Sequence, residues 1–244
     1  MIMCKMRRVV ISLEDEIGNK RREFLNYPYT RHIAHDGDNM EEPYVKYVKG
    51  HLQVCHNTGP KKIRGISGCF ASHWDLWDTI VKNDWYDTII LEDDAIQIRD
   101  LPNTEDLPKD GVSLLNGQLH HPYSWKLNAE FHRSGKDKEI IKTFKEGTNK
   151  IDYETYRWSG CFAMYIPTPE VALKLSHKAK EIGKFTHIDM WLSKHRLVDY
   201  LYYPSPFKHH DHLEQSQIAS NNGIIIDYSK TQKFDMGIKK FDMA

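Results

Sequence analysis

Apolar residues fall into short runs of β character separated by longer amphipathic stretches. Val9-Val10-Ile11-Ser12-Leu13 reads as a first strand, and the charged stretch after it predicts a helix with Ile17, Phe24 and Leu25 as its inward stripe. His32-Ile33-Ala34 is a short second strand that runs into the turn-rich His35-Asp36-Gly37-Asp38. From Gly65 the period changes: Ile66, Phe70, Trp74, Trp77 and Val81 recur at helical spacing, widened by Cys69, Leu76 and Ile80. Thr88-Ile89-Ile90-Leu91 is then a buried central strand, as are Val112 to Asn116 and Gly160 to Ile166. Thr168-Pro169-Glu170 opens a helix with a cap residue, a proline and an acid in its first turn. Its stripe is Val171, Ala172, Leu175, Ala179 and Ile182, and Gly183 ends it. A short helix from Asp189 through His195 and the strand Tyr200 to Tyr203 close the series before Pro204-Ser205-Pro206.

This alternation predicts an α/β fold, a mostly parallel central sheet with helices on both faces. Residues 38–64 are polar and carry no assignment beyond the loop signal Asn57-Thr58-Gly59-Pro60. Residues 118–157 mix His, Tyr, Trp, Lys and Gly with weak periodicity, which predicts a long irregular insertion with a functional role. The tail, 232–244, is polar and peripheral.

At 244 residues and 40% hydrophobic content, one large domain is expected. Lys plus Arg (34) equals Asp plus Glu (34), so no polycation is available for nucleic acid. The four cysteines are scattered without paired metal spacing and read as reduced thiols. With no apolar run near the ~18 residues of a membrane span and none suited to a signal peptide, the expectation is a soluble cytoplasmic chain.

Two clusters carry candidate chemistry. Glu92-Asp93-Asp94 puts three acids at the carboxyl end of a buried strand, where α/β sheets bind ligands, and such crowding is costly unless a cation offsets it. His209-His210-Asp211-His212 follows the last strand and offers imidazole to the same cation. If extended, the stretch puts His210 and His212 on one face and His209 and Asp211 on the other; His210 is the preferred ligand. Trp125, Tyr153, Tyr156 and Trp158 are either stacking platforms for sugar rings or core aromatics under a loop.

Several blocks together resemble glycosyltransferase family 25, which includes lipooligosaccharide galactosyltransferases and collagen glycosyltransferase domains. They are the opening strand with Arg21 and Arg22, His35-Asp36-Gly37, Gly68-Cys69-Phe70-Ala71-Ser72-His73 with Leu76-Trp77, and Leu91-Glu92-Asp93-Asp94-Ala95. Leu114-Leu115-Asn116-Gly117, Ala163 to Ile166, Ile188-Asp189 and Gln215-Ser216-Gln217-Ile218 follow in family order. The resemblance implies a single glycosyltransferase type A domain over 1–244. Its donor-binding half is about 7–117 and its acceptor-side elements about 118–231. It further implies inverting transfer of galactose or glucose from a UDP-sugar to a glycan or glycoprotein hydroxyl, with Mn2+ or Mg2+. On that pattern Asp94 is the first metal ligand, joined by Glu92 and His210, and Glu92 or Asp93 holds ribose or metal-bound water. Ser12, Leu13 and Asp36 fall where the fold holds uracil and ribose, and His73 beside the donor site. Asp189 is the candidate base, with Asp152 and Glu154 in reserve. Read from the acids and histidines alone, a metal-dependent phosphoesterase is the main rival, and a catalytically silent carbohydrate-binding protein the second.

Overall fold

The computed structural model describes residues 6–53, 58–116, 118–122, 127–160 and 162–209. Its first half runs β1 (Arg7–Ser12), α1 (Glu16–Arg22), β2 (Thr30–Ile33), α2 (Pro43–Gly50), α3 (Pro60–Lys82), β3 (Thr88–Glu92), β4 (Ala95–Gln97) and β5 (Ser113–Leu114). Its second half runs β6 (Gln118–His120), α4 (Asn128–Arg133), α5 (Lys136–Lys142), β7 (Gly147–Lys150), β8 (Arg157–Ser159), β9 (Ala163–Ile166), α6 (Pro169–Ile182), α7 (Ile188–Lys194), β10 (Tyr200–Tyr203) and β11 (Phe207–His209).

Seven strands form the central sheet in the order β2-β1-β3-β9-β5-β10-β7. β1 is parallel to β2 and β3, and β5 to β10, while β9 and β7 run against their neighbours. The sheet is therefore mostly parallel by strand direction, and strands of both halves of the chain share it.

The long stripe of α3 explains one face: Ile66 is buried, and Phe70, Trp74, Trp77 and Ile80 are buried in one cluster with Val9, Ile90 and Met164 of the sheet and Ala172 and Leu175 of α6. Each such side chain stabilises the fold by roughly 1.5–3 kcal/mol. Trp74 also donates its indole N–H to Ser176 Oγ of α6 at 3.0 Å. A smaller cluster, with Tyr27, Leu107, Leu115 and Phe207, covers the opposite face. The Thr168 cap of α6 and its left-handed end at Gly183 are as expected.

Three expectations need correction. In α1 the buried residue is Gly18, whereas Phe24 is 49% exposed. A Cβ at Gly18 would lie 2.2 Å from the Leu13 carbonyl oxygen, so the helix backbone rests directly on the end of β1, and of the expected stripe Leu25, past the helix end, packs partly buried against a core cluster. Residues 38–64 contain α2, which buries only Val45 and Val48, and α3 starts at Pro60, a residue suited to a helix's first position, ahead of the apolar stripe. The stretch 118–157 is no irregular insertion: β6 pairs with β8, and β7 joins the main sheet. The tail 232–244 lies outside the described residues.

Candidate active site

The strand order β2-β1-β3 makes the gap between the carboxyl ends of β1 and β3 a reversal point, where α/β sheets open a crevice. Ser12 ends β1, Glu92 ends β3, and Asp93 and Asp94 form the turn from β3 into β4. Because α1 lies on β1 through Gly18, its side chains three and four residues further on share that face. Arg21 and Arg22 therefore reach the site.

Asp93 is held on both oxygens. Ser12 Oγ donates to its Oδ2 at 2.7 Å and Arg21 to its Oδ1 at 3.0 Å. Arg22 in turn donates to Ser12 Oγ and to the Leu13 carbonyl. Burial nevertheless pushes the Asp93 carboxyl up to about 6, with the charge of Asp94 adding to it against Arg21 and Ser12. Both of its oxygens are already occupied by the protein itself.

Asp94 is different. Its Oδ2 lies 2.9 Å from His209 Nε2, while its Oδ1 is buried with no hydrogen-bond partner among the described residues. Burial raises this carboxyl, but the hydrogen bond and charge of His209, with the charge of Arg21, outweigh it and hold the group below the usual carboxylate range. His209 arrives through β11, which pairs antiparallel with β4 in the register His209 to Ala95, and the Phe162 ring packs edge-on against its imidazole at 5.6 Å. Ser205 anchors the preceding turn by donating to the Leu115 carbonyl. His210, the ligand preferred on sequence grounds, lies outside the described residues.

Glu92 points to α3. Its Oε1 is 3.3 Å from Nε2 of the fully buried His73 and 3.8 Å from Cys69 Sγ. Burial, with the charges of Glu92, Asp189 and Asp94, pushes the Cys69 thiol well up. Asp189, in the first turn of α7, accepts from the Met190 N–H at 2.7 Å and the Gly160 N–H at 3.3 Å. It lies within the first turn of α7, next to the helix's positive end, and ties that turn to Gly160.

Other candidates go elsewhere. Asp36 is gripped by Arg64 at 2.8 and 2.9 Å. Asp152 binds Thr155, and Glu154 pairs with Arg196 on the surface. Tyr156 and Trp158 are buried and Tyr153 donates to the Val198 carbonyl, so these three are core aromatics; Trp125 lies outside the described residues. Cys69 is a site residue with no role assigned from sequence, and His209 belongs to the candidate histidine cluster in which His210 was the preferred member. The four-residue spacing of Cys69 and His73 on one helix was the available signal for the first; only strand register identifies the second.

A mostly parallel sheet with adjacent acids at its switch point has the architecture of the type A glycosyltransferases. The sequence profile of glycosyltransferase family 25 (LPS biosynthesis protein) matches residues 6–192, more than half of the chain, and the chain belongs to this family. No curated protein matched the chain. The match spans the acid turn, Cys69, His73 and Asp189, and stops before His209. No helix among the described residues is long and apolar enough to cross a membrane.

Proposed function

We propose that this glycosyltransferase moves a hexose, galactose or glucose, from a UDP-sugar to a hydroxyl of a glycan or glycoprotein acceptor, with inversion and with Mn2+ or Mg2+ bound. Asp94 carries the reading: one oxygen is engaged by His209 and the other is buried with no partner among the described residues, an arrangement that suits a cation. Asp94 and His209 would hold the ion, with Glu92 beside them and His210 a further candidate. Oxygen ligands suit either ion, and the imidazole favours manganese. When bound, the ion supplies positive charge for the departing diphosphate.

The protein's own groups supply the rest. Asp189 would take the acceptor hydroxyl's proton as that oxygen bonds to the anomeric carbon and the bond to UDP breaks. The N–H groups of Gly160 and Met190 orient its carboxylate. Ser12 and the Leu13 backbone, fixed by Arg22, form the floor on which uridine would rest. Donor-side residues of about 7–117 and acceptor-side residues of about 118–231 would work as one domain over their shared sheet. A cytoplasmic setting suits the free thiol of Cys69.

Calorimetric titration of UDP with and without manganese tests the reading. Affinity that requires the ion supports it, and equal affinities sink the metal assignment. A donor screen with acceptor present then separates transfer from the rival phosphoester hydrolysis, which ignores the acceptor.

A further inference from the structure

A second set of ligating atoms stands behind the acid turn. Cys69 and His73 are one helical turn apart on α3 and so share a face, and Glu92 reaches them from the end of β3. Cys69 Sγ, His73 Nε2 and a Glu92 carboxylate oxygen all lie within 4.8 Å of one another. At present the thiol donates to Glu92 Oε1 at 3.8 Å and the imidazole lies 3.3 Å from the same oxygen. A divalent ion in their midst would displace those protons and satisfy all three groups at once.

The donor set decides which ion. One sulfur, one imidazole and one carboxylate make a borderline set that suits Zn2+ and leaves a fourth position open, whereas Mn2+ and Mg2+ prefer oxygen. We propose that Cys69, His73 and Glu92 form a second cation site, selective for Zn2+-class ions, which when filled ties Glu92 to α3 and away from the donor. The site itself does not depend on the transferase reading; only its effect on the donor rests on that reading.

Cobalt tests it by spectrum rather than by activity. The full chain, freed of metal with a chelator and kept reduced with a non-thiol reductant, is titrated with Co2+. The expected result is a thiolate-to-cobalt charge-transfer band in the near ultraviolet, with visible bands of low-coordinate cobalt. The bands should saturate at about one ion per chain and be erased by Zn2+ but not by Mn2+. Cys69→Ser should abolish the charge-transfer band with the other three of the four cysteines intact, and His73→Gln should weaken Co2+ affinity by about 10- to 100-fold or more. Circular dichroism checks that each variant is folded, and Glu92→Gln provides a third variant should either fail. Absence of the band at saturating Co2+, or its survival in folded Cys69→Ser, overturns the proposal. If the band appears while UDP binding proves metal-independent, only the transferase assignment fails.

Discussion

Ser12 and Asp93, 81 residues apart in the chain, are joined by a buried hydrogen bond of 2.7 Å between the ends of β1 and β3. That bond, with Arg21 on the other oxygen, keeps a charged group in a place where burial resists charge. The sign of the pH effect follows. The folded-state value of about 6 lies above the unfolded carboxylate's ~3.9, so this group's contribution to stability is fully present below about pH 4 and is lost as pH rises through 6. Ser12→Ala removes a donor to the ionised form and pushes the carboxyl further up. It should cost about 1–3 kcal/mol at pH 8 and clearly less at pH 4.5, where the carboxyl is protonated with or without the bond. Urea unfolding at the two pH values measures the difference, and a pH-independent cost would mean that the hydroxyl merely fills space.

His120 gives the opposite sign. Burial, with the neighbouring His132, lowers its imidazole to about 4, and its Nδ1 accepts from Asn128 Nδ2 at 2.8 Å. The folded state excludes the proton, so this contribution is complete above pH ~6.5 and fades as pH falls towards 4, by about 3 kcal/mol in all. His120→Asn keeps an acceptor near that position without the titration. Its stability should fall less than the parent's between pH 7 and pH 4.5 in thermal melts, and parallel curves would show that His120 protonates freely.

The fold was largely legible because its long elements carry strong local patterns: the apolar stripe of α3, the buried run of β3 and the Thr168-Pro169 start of α6 all stand where the spacing puts them. What was hidden is non-local or short. β6 and β8 have three residues each, too few to show a period. Gly18 faces inward because a side chain would collide with β1, a contact that no hydrophobicity pattern encodes. The acid turn was legible as a charge cluster, but the separate fates of its members were not. Asp93 is sealed by Ser12 and Arg21, Asp94 by a histidine more than a hundred residues away, and Glu92 by α3. Those partners depend on strand order and register.

His209 makes its contact with Asp94 from the last described strand, so its removal isolates the imidazole's share of the site. His209→Ala should weaken manganese-dependent UDP binding by about 10- to 100-fold and leave any metal-free binding of UDP unchanged. Calorimetry at fixed UDP and varied manganese reads the loss. Parent-like manganese dependence would move the imidazole role to a histidine outside the described residues, His210 or His212.

Asp94 and Asp189 carry different jobs in the proposed reaction, so their isosteric variants should fail differently. Asp94→Asn removes charge from an acid whose buried oxygen has no partner among the described residues, and should therefore weaken metal-dependent UDP binding and abolish both transfer and slow donor hydrolysis. Asp189→Asn should leave UDP and manganese binding near normal while transfer falls by the ~10²- to 10⁴-fold typical of a lost general base. The amide at 189 can keep its oxygen on Met190 N–H, the shorter of the two bonds, and gives up the 3.3 Å bond from Gly160, so circular dichroism must show α7 intact before the deficit is called chemical. Single-turnover rates on folded variants, set beside their UDP affinities, separate the two roles. Transfer by Asp189→Asn at the parent's rate would remove it as the base. Asp152 and Glu154 would then be poor replacements, since Thr155 and Arg196 already engage them.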